Sequence, residues 1–234
     1  MAAQSSAPSP IITDRPAVTD SSVVVPADTL QGENGFAVTT SQGQNTFDGP
    51  KSLFRFGVAS KTELRLITPD YFGVAVSGLG DLAIGMKQQL GPAPGGFDVS
   101  VVLATSLPTG ANTISSHGYD PFVQIPWSRA LSANWTAAGM LSVYSPTQAG
   151  QHNVTGETAF LIDRTLTKTW DAFIEYAGDF PERGGPRHLL HFGTAFRVTS
   201  NQQIDFHAGA GLSSATADHF IAAGYSFRVR VFRR

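Results

Sequence analysis

The sequence predicts an all-β fold: a closed antiparallel transmembrane β-barrel of about 12 strands, preceded by a disordered or extended N-terminal segment. Three observations carry this. From about Leu30 onward the 234-residue chain alternates apolar and polar residues with period two, in stretches separated by Gly, Pro, Asn and Ser clusters. Charged residues are only 15% of the chain, against roughly 25% in a soluble domain, yet mean hydropathy is a neutral -0.03. Strands that average a lipid-facing apolar row with a lumen-facing polar row give that combination. Finally, no apolar run approaches the ~20 residues a spanning helix needs, and helical periodicity is nowhere sustained.

Residues 1–27 are rich in Ser, Pro, Ala and Asp, with Pro8, Pro10, Pro16 and Pro26 spread through them. Such a stretch forms no regular element and reads as a periplasmic lead-in to a barrel occupying 28–234. An export signal is expected to have been removed ahead of it. The spacing predicts strands near 29–41, 50–59, 62–69, 79–91, 95–107, 120–131, 134–145, 154–166, 169–180, 187–199, 202–213 and 218–232. In the fifth, Phe97, Val99, Val101, Leu103 and Leu107 share one face and Asp98, Ser100, Ala104 and Ser106 the other. In the ninth, Trp170, Ala172, Ile174, Tyr176 and Phe180 oppose Asp171, Glu175, Ala177 and Asp179. In the last, Ile221, Ala223, Tyr225, Phe227, Val229 and Val231 oppose Gly224, Ser226, Arg228 and Arg230.

Connection lengths form an internal test, because outer-membrane barrels have short periplasmic turns and longer outer loops. Tight turns are expected at Ser60–Lys61, Gly91–Pro94, Ser132–Ala133, Thr167–Lys168 and Ser200–Asn201, and longer loops at 42–49, 70–78, 108–119, 146–153 and 181–186. The two sets alternate, which places both termini on the periplasmic side. Soluble sandwiches and lipocalin-like barrels share the alternation. Low charge and aromatic residues near strand ends, such as Phe54, Trp127, Trp135, Trp170 and Tyr225, favour the bilayer.

A net charge of -2 leaves no basic footprint for nucleic acid. The absence of cysteine excludes disulfides and thiolate metal sites. No nucleophile, base and orienting group recur at catalytic spacing, so no enzyme activity and no cofactor is expected. His188 and His191 fall on opposite faces of a strand, which argues against a metal site. Gly78-Leu79-Gly80 has no helix after it to cradle a phosphate.

What remains is a polar row facing the lumen: Glu33, Arg55, Glu63, Arg65, Asp81, Lys87, Asp98, Asp171, Glu175, Arg197, Asp205, His207, Arg228 and Arg230. Its near balance of signs suits two compatible roles, a salt-bridged filling that stiffens the wall and a charged ladder along which a small solute passes. A barrel of this size has a narrow or plugged lumen, and Arg15 is the candidate to fold into its periplasmic mouth.

These residues resemble an outer-membrane family labelled as the putative MetA pathway of phenol degradation. The likeness rests on Ile12-Thr13-Asp14-Arg15-Pro16 with Val25-Pro26, and on Leu30-Gln31-Gly32-Glu33-Asn34-Gly35-Phe36. It continues in Thr62-Glu63-Leu64-Arg65-Leu66, in the stretch from Gly78 to Lys87, and in Ser106-Leu107-Pro108-Thr109-Gly110. The resemblance implies a bacterial outer-membrane channel for passive uptake of a small solute, with hydrophobic or aromatic compounds as the associated class. Its partners would be the lipid bilayer, lipopolysaccharide, the outer-membrane assembly machinery and the solute. The alternative is a structural or partner-binding barrel with a closed lumen.

Overall fold

The structure, a computed structural model, describes residues 9–73 and 77–231. The start of the N-terminal segment and the end of the last predicted strand lie outside these residues. The wall is built from β1 (Thr29–Ser41), β2 (Gln44–Gly49), β3 (Leu53–Ala59), β4 (Thr62–Ile67), β5 (Tyr71–Gly73), β6 (Gly78–Leu79), β7 (Leu82–Ala93), β8 (Phe97–Leu107), β9 (Asp120–Ala130) and β10 (Trp135–Tyr144). After a small hairpin of β11 (Thr147–Gln148) and β12 (Gln151–His152) come β13 (Thr155–Thr167), β14 (Trp170–Pro181), β15 (Arg187–Thr199), β16 (Gln202–Gly211) and β17 (His219–Arg230).

Every neighbouring pair is antiparallel, and β17 pairs with β1 from Thr29↔Arg230 to Thr40↔His219, which closes the sheet. Three wall strands are interrupted, between β2 and β3, β4 and β5, and β6 and β7, so the wall is the predicted twelve-stranded barrel. At the first two breaks the ladder is carried across by Lys51 N–H donating to Gly35 O (2.7 Å) and Thr68 N–H to Ser52 O (2.9 Å).

The expected loop at 42–49 is a strand. Residues Ala37–Ser41 of β1 need a partner beyond the reach of β3, and β2 supplies it in register Ala37↔Asp48 to Ser41↔Gln44. Only Gln42 and Gly43 turn the chain, both at positive φ (50° and 74°), the geometry that matches strand twist in a two-residue hairpin. β5 and the β11–β12 hairpin likewise fall where loops were expected, and β6 begins one residue ahead of the strand expected from residue 79. The turn expected at Gly91–Pro94 begins later, because Gly91, Pro92 and Ala93 still pair with Val99, Asp98 and Phe97 past a bulge.

The wall is apolar outside and polar within. Phe36, Leu64, Ile84, Leu103, Phe160, Ile174, Phe192, Phe206, Ile221 and Val229 are exposed, while Gln31, Glu33, Arg55, Glu63, Lys87, Ser100, Glu175, Asp205 and Ser226 are buried. A continuous apolar exterior of this extent is stable against hydrocarbon and not against water. No described helix is long and apolar enough to cross a membrane, and the strands make the crossing.

Depth along the wall sets a prediction. Phe192 sits near the middle of β15 and Val198 near its short-turn end, both facing outward. Phe192→Arg should cost about 2–4 kcal/mol of folding free energy in lipid vesicles and Val198→Arg about 0–1. Equal losses in denaturant titrations would contradict the assigned depths.

Candidate functional site: a plugged lumen

The segment from Ser9 to Asp28 has no strand or helix, yet it lies inside the barrel. It enters at the short-turn end, where Ile11 N–H donates to Ser200 O (2.8 Å) and Arg228 Nη2 to Ser9 O (2.5 Å). It leaves at the same end, where Asp28 N–H donates to Gly57 O (2.9 Å) and Val231 N–H to Asp28 O (2.9 Å). Between them the chain reverses around Pro16–Thr19. The described part of the segment read as a periplasmic lead-in is therefore lodged in the lumen, because wall carboxylates and cations satisfy groups that would otherwise need water.

An irregular segment in a closed lumen carries backbone N–H groups with no ladder to join, and each needs an acceptor. Three wall glutamates provide them. Glu33 accepts from the N–H of Asp14 and of Arg15 (both 2.9 Å), Glu63 from Val25 (2.8 Å), and Glu175 from Val18 (2.8 Å) and Thr19 (2.7 Å).

The segment's own acid ties the cations together. Arg55 and Arg65 are directly opposed across β3 and β4, a repulsive pairing when left alone. The Asp14 carboxylate lies between them, 3.1 Å from Arg55 Nη1, 2.8 Å from Arg65 Nη2 and 3.1 Å from Lys87 Nζ. It also accepts from Ser21 N–H and Oγ–H. Arg55 bonds Glu63 (2.9 Å) and Glu33 (3.0 Å), and Arg65 also reaches Asp20 (3.0 Å).

At the tip, Arg15 Nη2 donates to Asp205 Oδ1 (3.0 Å) and contacts His207 Nε2 (3.2 Å). Its guanidinium rests on bare wall: Gly35 and Gly224 pair across β1 and β17, and a Cβ on either would meet it at 2.2 Å or 2.5 Å. No other side chain leaves room for that seat.

The segment does not fill the lumen evenly. Its ion pairs with Arg55, Arg65 and Lys87 lie on β3, β4 and β7 and its tip also reaches Glu175 on β14 and Asp205 on β16, and against β8–β16 a cavity of about 470 Å³ remains, lined by Asp98, Ser128, Thr136, Asp163, Asp171 and Arg197 among others. Asp171 and Arg197 pair at 2.5 Å.

Of the residues expected in the lumen, Glu33, Arg55, Glu63, Arg65, Lys87, Glu175, Asp205 and His207 meet the inserted segment or one another. Asp98, Asp171 and Arg197 line the cavity, and Arg228 lies at the short-turn mouth beside Asn201 (3.0 Å). Two expectations are corrected. Arg230 continues the inward alternation but sits exposed at the rim, where β17 ends. Asp81 precedes β7 instead of lining it, and anchors the 108–119 loop by accepting from Thr109 (3.0 Å), Gly110 (2.8 Å) and Ser116 (2.9 Å) N–H. Alternation alone cannot distinguish a lumen residue from one just beyond the strand end. Asp14, Asp20, Asp163 and His191 were missed. Strand parity could have found Asp163 and His191, whereas the two acids lie in a segment without period.

Two predictions follow from these contacts. Arg55→Met leaves Asp14, Glu33 and Glu63 without their shared cation and should cost about 3–5 kcal/mol, read from unfolding in detergent; a loss under about 1 kcal/mol would mean that the network does not hold the segment. At Asp81 burial pushes the carboxyl up, but N–H donors from Ser116 and Gly110 outweigh it and hold the group below its ordinary 3.8. A depressed carboxylate contributes stability that is complete above that ordinary value and is lost as pH falls through the lowered one. Gly110 and Ser116 amides should stay protected from hydrogen exchange at mildly acidic pH and lose protection only in stronger acid, with Asp81→Ala, which has no acceptor, losing it at every pH.

Comparison with known proteins agrees with this architecture. The chain is similar in structure to an outer membrane channel from Pseudomonas putida F1, with TM-score 0.68 and 11% identity over 89% of this chain and 98% of that one. The NanC porin gives TM-score 0.63 and 6% identity over 86% and 100%. The KdgM porin gives TM-score 0.60 and 10% identity over 84% and 98%. At such identities the likeness is one of fold. No curated protein sequence matches. Residues 13–229, from within the inserted segment to the last strand, match the family described as "Putative MetA-pathway of phenol degradation", and the chain belongs to that family.

Proposed function

We propose that the protein is an outer-membrane channel for passive uptake of a small solute, with its N-terminal segment as a built-in constriction. The observation that carries this reading is the cavity of about 470 Å³ beside the segment. A purely structural filling would be expected to close against the wall on all sides, since protein interiors pack without voids of this size. By the rule for such barrels the short turns face the periplasm and the long loops the exterior. The outer rim then meets lipopolysaccharide, and insertion requires the outer-membrane assembly machinery.

The lining joins Asp98, Ser128, Thr136, Asp163, Asp171 and Arg197 to Ile11, Leu161, Phe173 and Ala195, which suits a small solute with both a hydrogen-bonding group and an apolar part. Uptake of hydrophobic or aromatic compounds has its support in the family description. A second reading, a partner-binding barrel with a closed lumen, is favoured by the cross-tied outer loops. There Asn153 Nδ2 donates to Gln148 Oε1 (3.0 Å), and its Oδ1 accepts from Arg183 N–H (3.0 Å).

Planar-bilayer recording separates the two. The wild-type protein should give small conductance steps and Asp14→Asn, which loosens the segment, steps several-fold larger. Liposomes carrying the protein should swell with a small solute such as benzoate or an amino acid. Silence from both proteins, with no swelling, would leave the closed-lumen reading standing.

A further inference from the structure

The tip of the inserted segment is joined to the wall by a chain of hydrogen bonds whose direction is fully determined. Arg15 can only donate, so His207 Nε2, 3.2 Å from Arg15 Nη2, must be an acceptor. The proton of a neutral His207 then sits on Nδ1 and is donated to His191 Nε2 at 2.9 Å. His191 in turn carries its proton on Nδ1 and donates it to Glu175 Oε2 at 2.8 Å. Glu175 is already fixed by the N–H groups of Val18 and Thr19, so the chain starts and ends on the inserted segment.

This arrangement has room for two ring protons and no third. The contact between the rings holds one proton, and the contact with Glu175 holds the other. A proton added to the pair, whichever ring it first reaches, must finish on His207 Nε2, facing the donor Nη2 of Arg15. It would also acquire a new target: Asp205, two residues away on the same face of β16, has one oxygen, Oδ2, that is buried without a hydrogen-bond partner. Protonated His207 therefore both repels Arg15 and competes for its carboxylate.

We propose that Arg15, His207, His191 and Glu175 form a proton-operated latch, which holds the segment's tip on the wall at neutral pH and releases it in acid. Other groups facing the pair do not duplicate this role. Phe173 and Phe220 pack on the rings without titrating. Glu33 holds only the Arg15 backbone. Lys51 and Asp70 act on this region from the β2–β3 and β4–β5 connections, and Lys51 is paired with Asp48 at 2.6 Å. Arg65, Lys87, Asp14 and Asp20 bind the rest of the segment and do not contact the rings. The latch stands on these contacts alone, and only its consequence, a path widened by acid, rests on the channel reading.

The chain has no cysteine, so a nitroxide on Ala17→Cys reports the tip uniquely. Ala17 borders the cavity, which gives the label space. In phosphatidylcholine vesicles the label should be immobile at pH about 7.5 and become mobile on acidification, at the pH where His207 takes up its second ring proton. His207→Gln keeps an acceptor for Arg15 and a donor for His191 but does not titrate, and its label should stay immobile over the same range. Arg15→Gln should be mobile throughout. Release of His207→Gln at the same pH as wild type would assign the change to carboxylates and overturn the latch, as would an immobile wild-type label. If His207→Gln does not insert, ring-nitrogen NMR of the wild-type barrel decides: both rings must carry their neutral-pH proton on Nδ1, and an Nε2 proton on His207 would overturn the proposal. A label that is released in acid without any rise in bilayer conductance would sustain the latch and sink the acid-widened path, and a wild-type barrel silent at every pH would sink the channel reading.

Discussion

An irregular peptide can remain inside a β-barrel only if something in the wall accepts its backbone N–H groups. The wall cannot do so with its own backbone, because closure from β1 to β17 commits those groups to the ladder. Side chains must take the task, and the carboxylate suits it best, being an acceptor with several lone pairs that forms short, charge-assisted bonds to N–H. Glu33, Glu63 and Glu175 do this from three different strands. A buried carboxylate without such donors or a cation would be costly in its own right. Wall and segment therefore each remove the other's penalty, and neither arrangement is favourable alone.

The cations follow from the same constraint. Glu33 and Glu63 require positive neighbours, which Arg55, Arg65 and Lys87 supply. That concentration of like charge in turn requires an acid from outside the wall, and Asp14 provides it. Most of the segment's ion pairs therefore lie on the side of β3, β4 and β7, while its tip crosses to Glu175 and Asp205 on β14 and β16. The cavity of about 470 Å³ is left beside it, against β8–β16.

The wall was legible in the sequence because each uninterrupted strand repeats one instruction, apolar outward and polar inward, over five or more turns of the alternation. Phe206, Ile221 and Ile174 are exposed and Asp205, Ser226 and Glu175 buried, as parity alone requires. Errors cluster where alternation ends: Asp81 before β7, Arg230 at the rim, and the 42–49 stretch, whose Gln, Asn and Gly content reads as loop although it pairs with β1. Of the segment's lodging only an entry of Arg15 at the periplasmic mouth was anticipated; its path and partners were not legible. Residues 9–28 have no period to read, and Gly35 and Gly224 look like unspecific small residues on a lumen face until the Arg15 guanidinium is seen resting on them. Parity could have added His191 to the site, but only the geometry joins it to His207.

The two instruction sets share the same strands without interfering, since they occupy alternate residues. Outward positions need only be apolar, so Phe192, Ile174 and Leu103 answer to hydrocarbon and to no particular partner. Inward positions answer to single atoms: Glu175 to the N–H of Thr19, Arg55 to Asp14, Gly224 to Arg15. Contact with hydrocarbon depends on the first set, whereas the state of the lumen, and through Arg55 and its partners part of the barrel's stability, depends on the second set together with the inserted segment. A protein built this way can adjust what lies in its lumen, one inward residue at a time, without rebuilding the wall that holds it in the membrane.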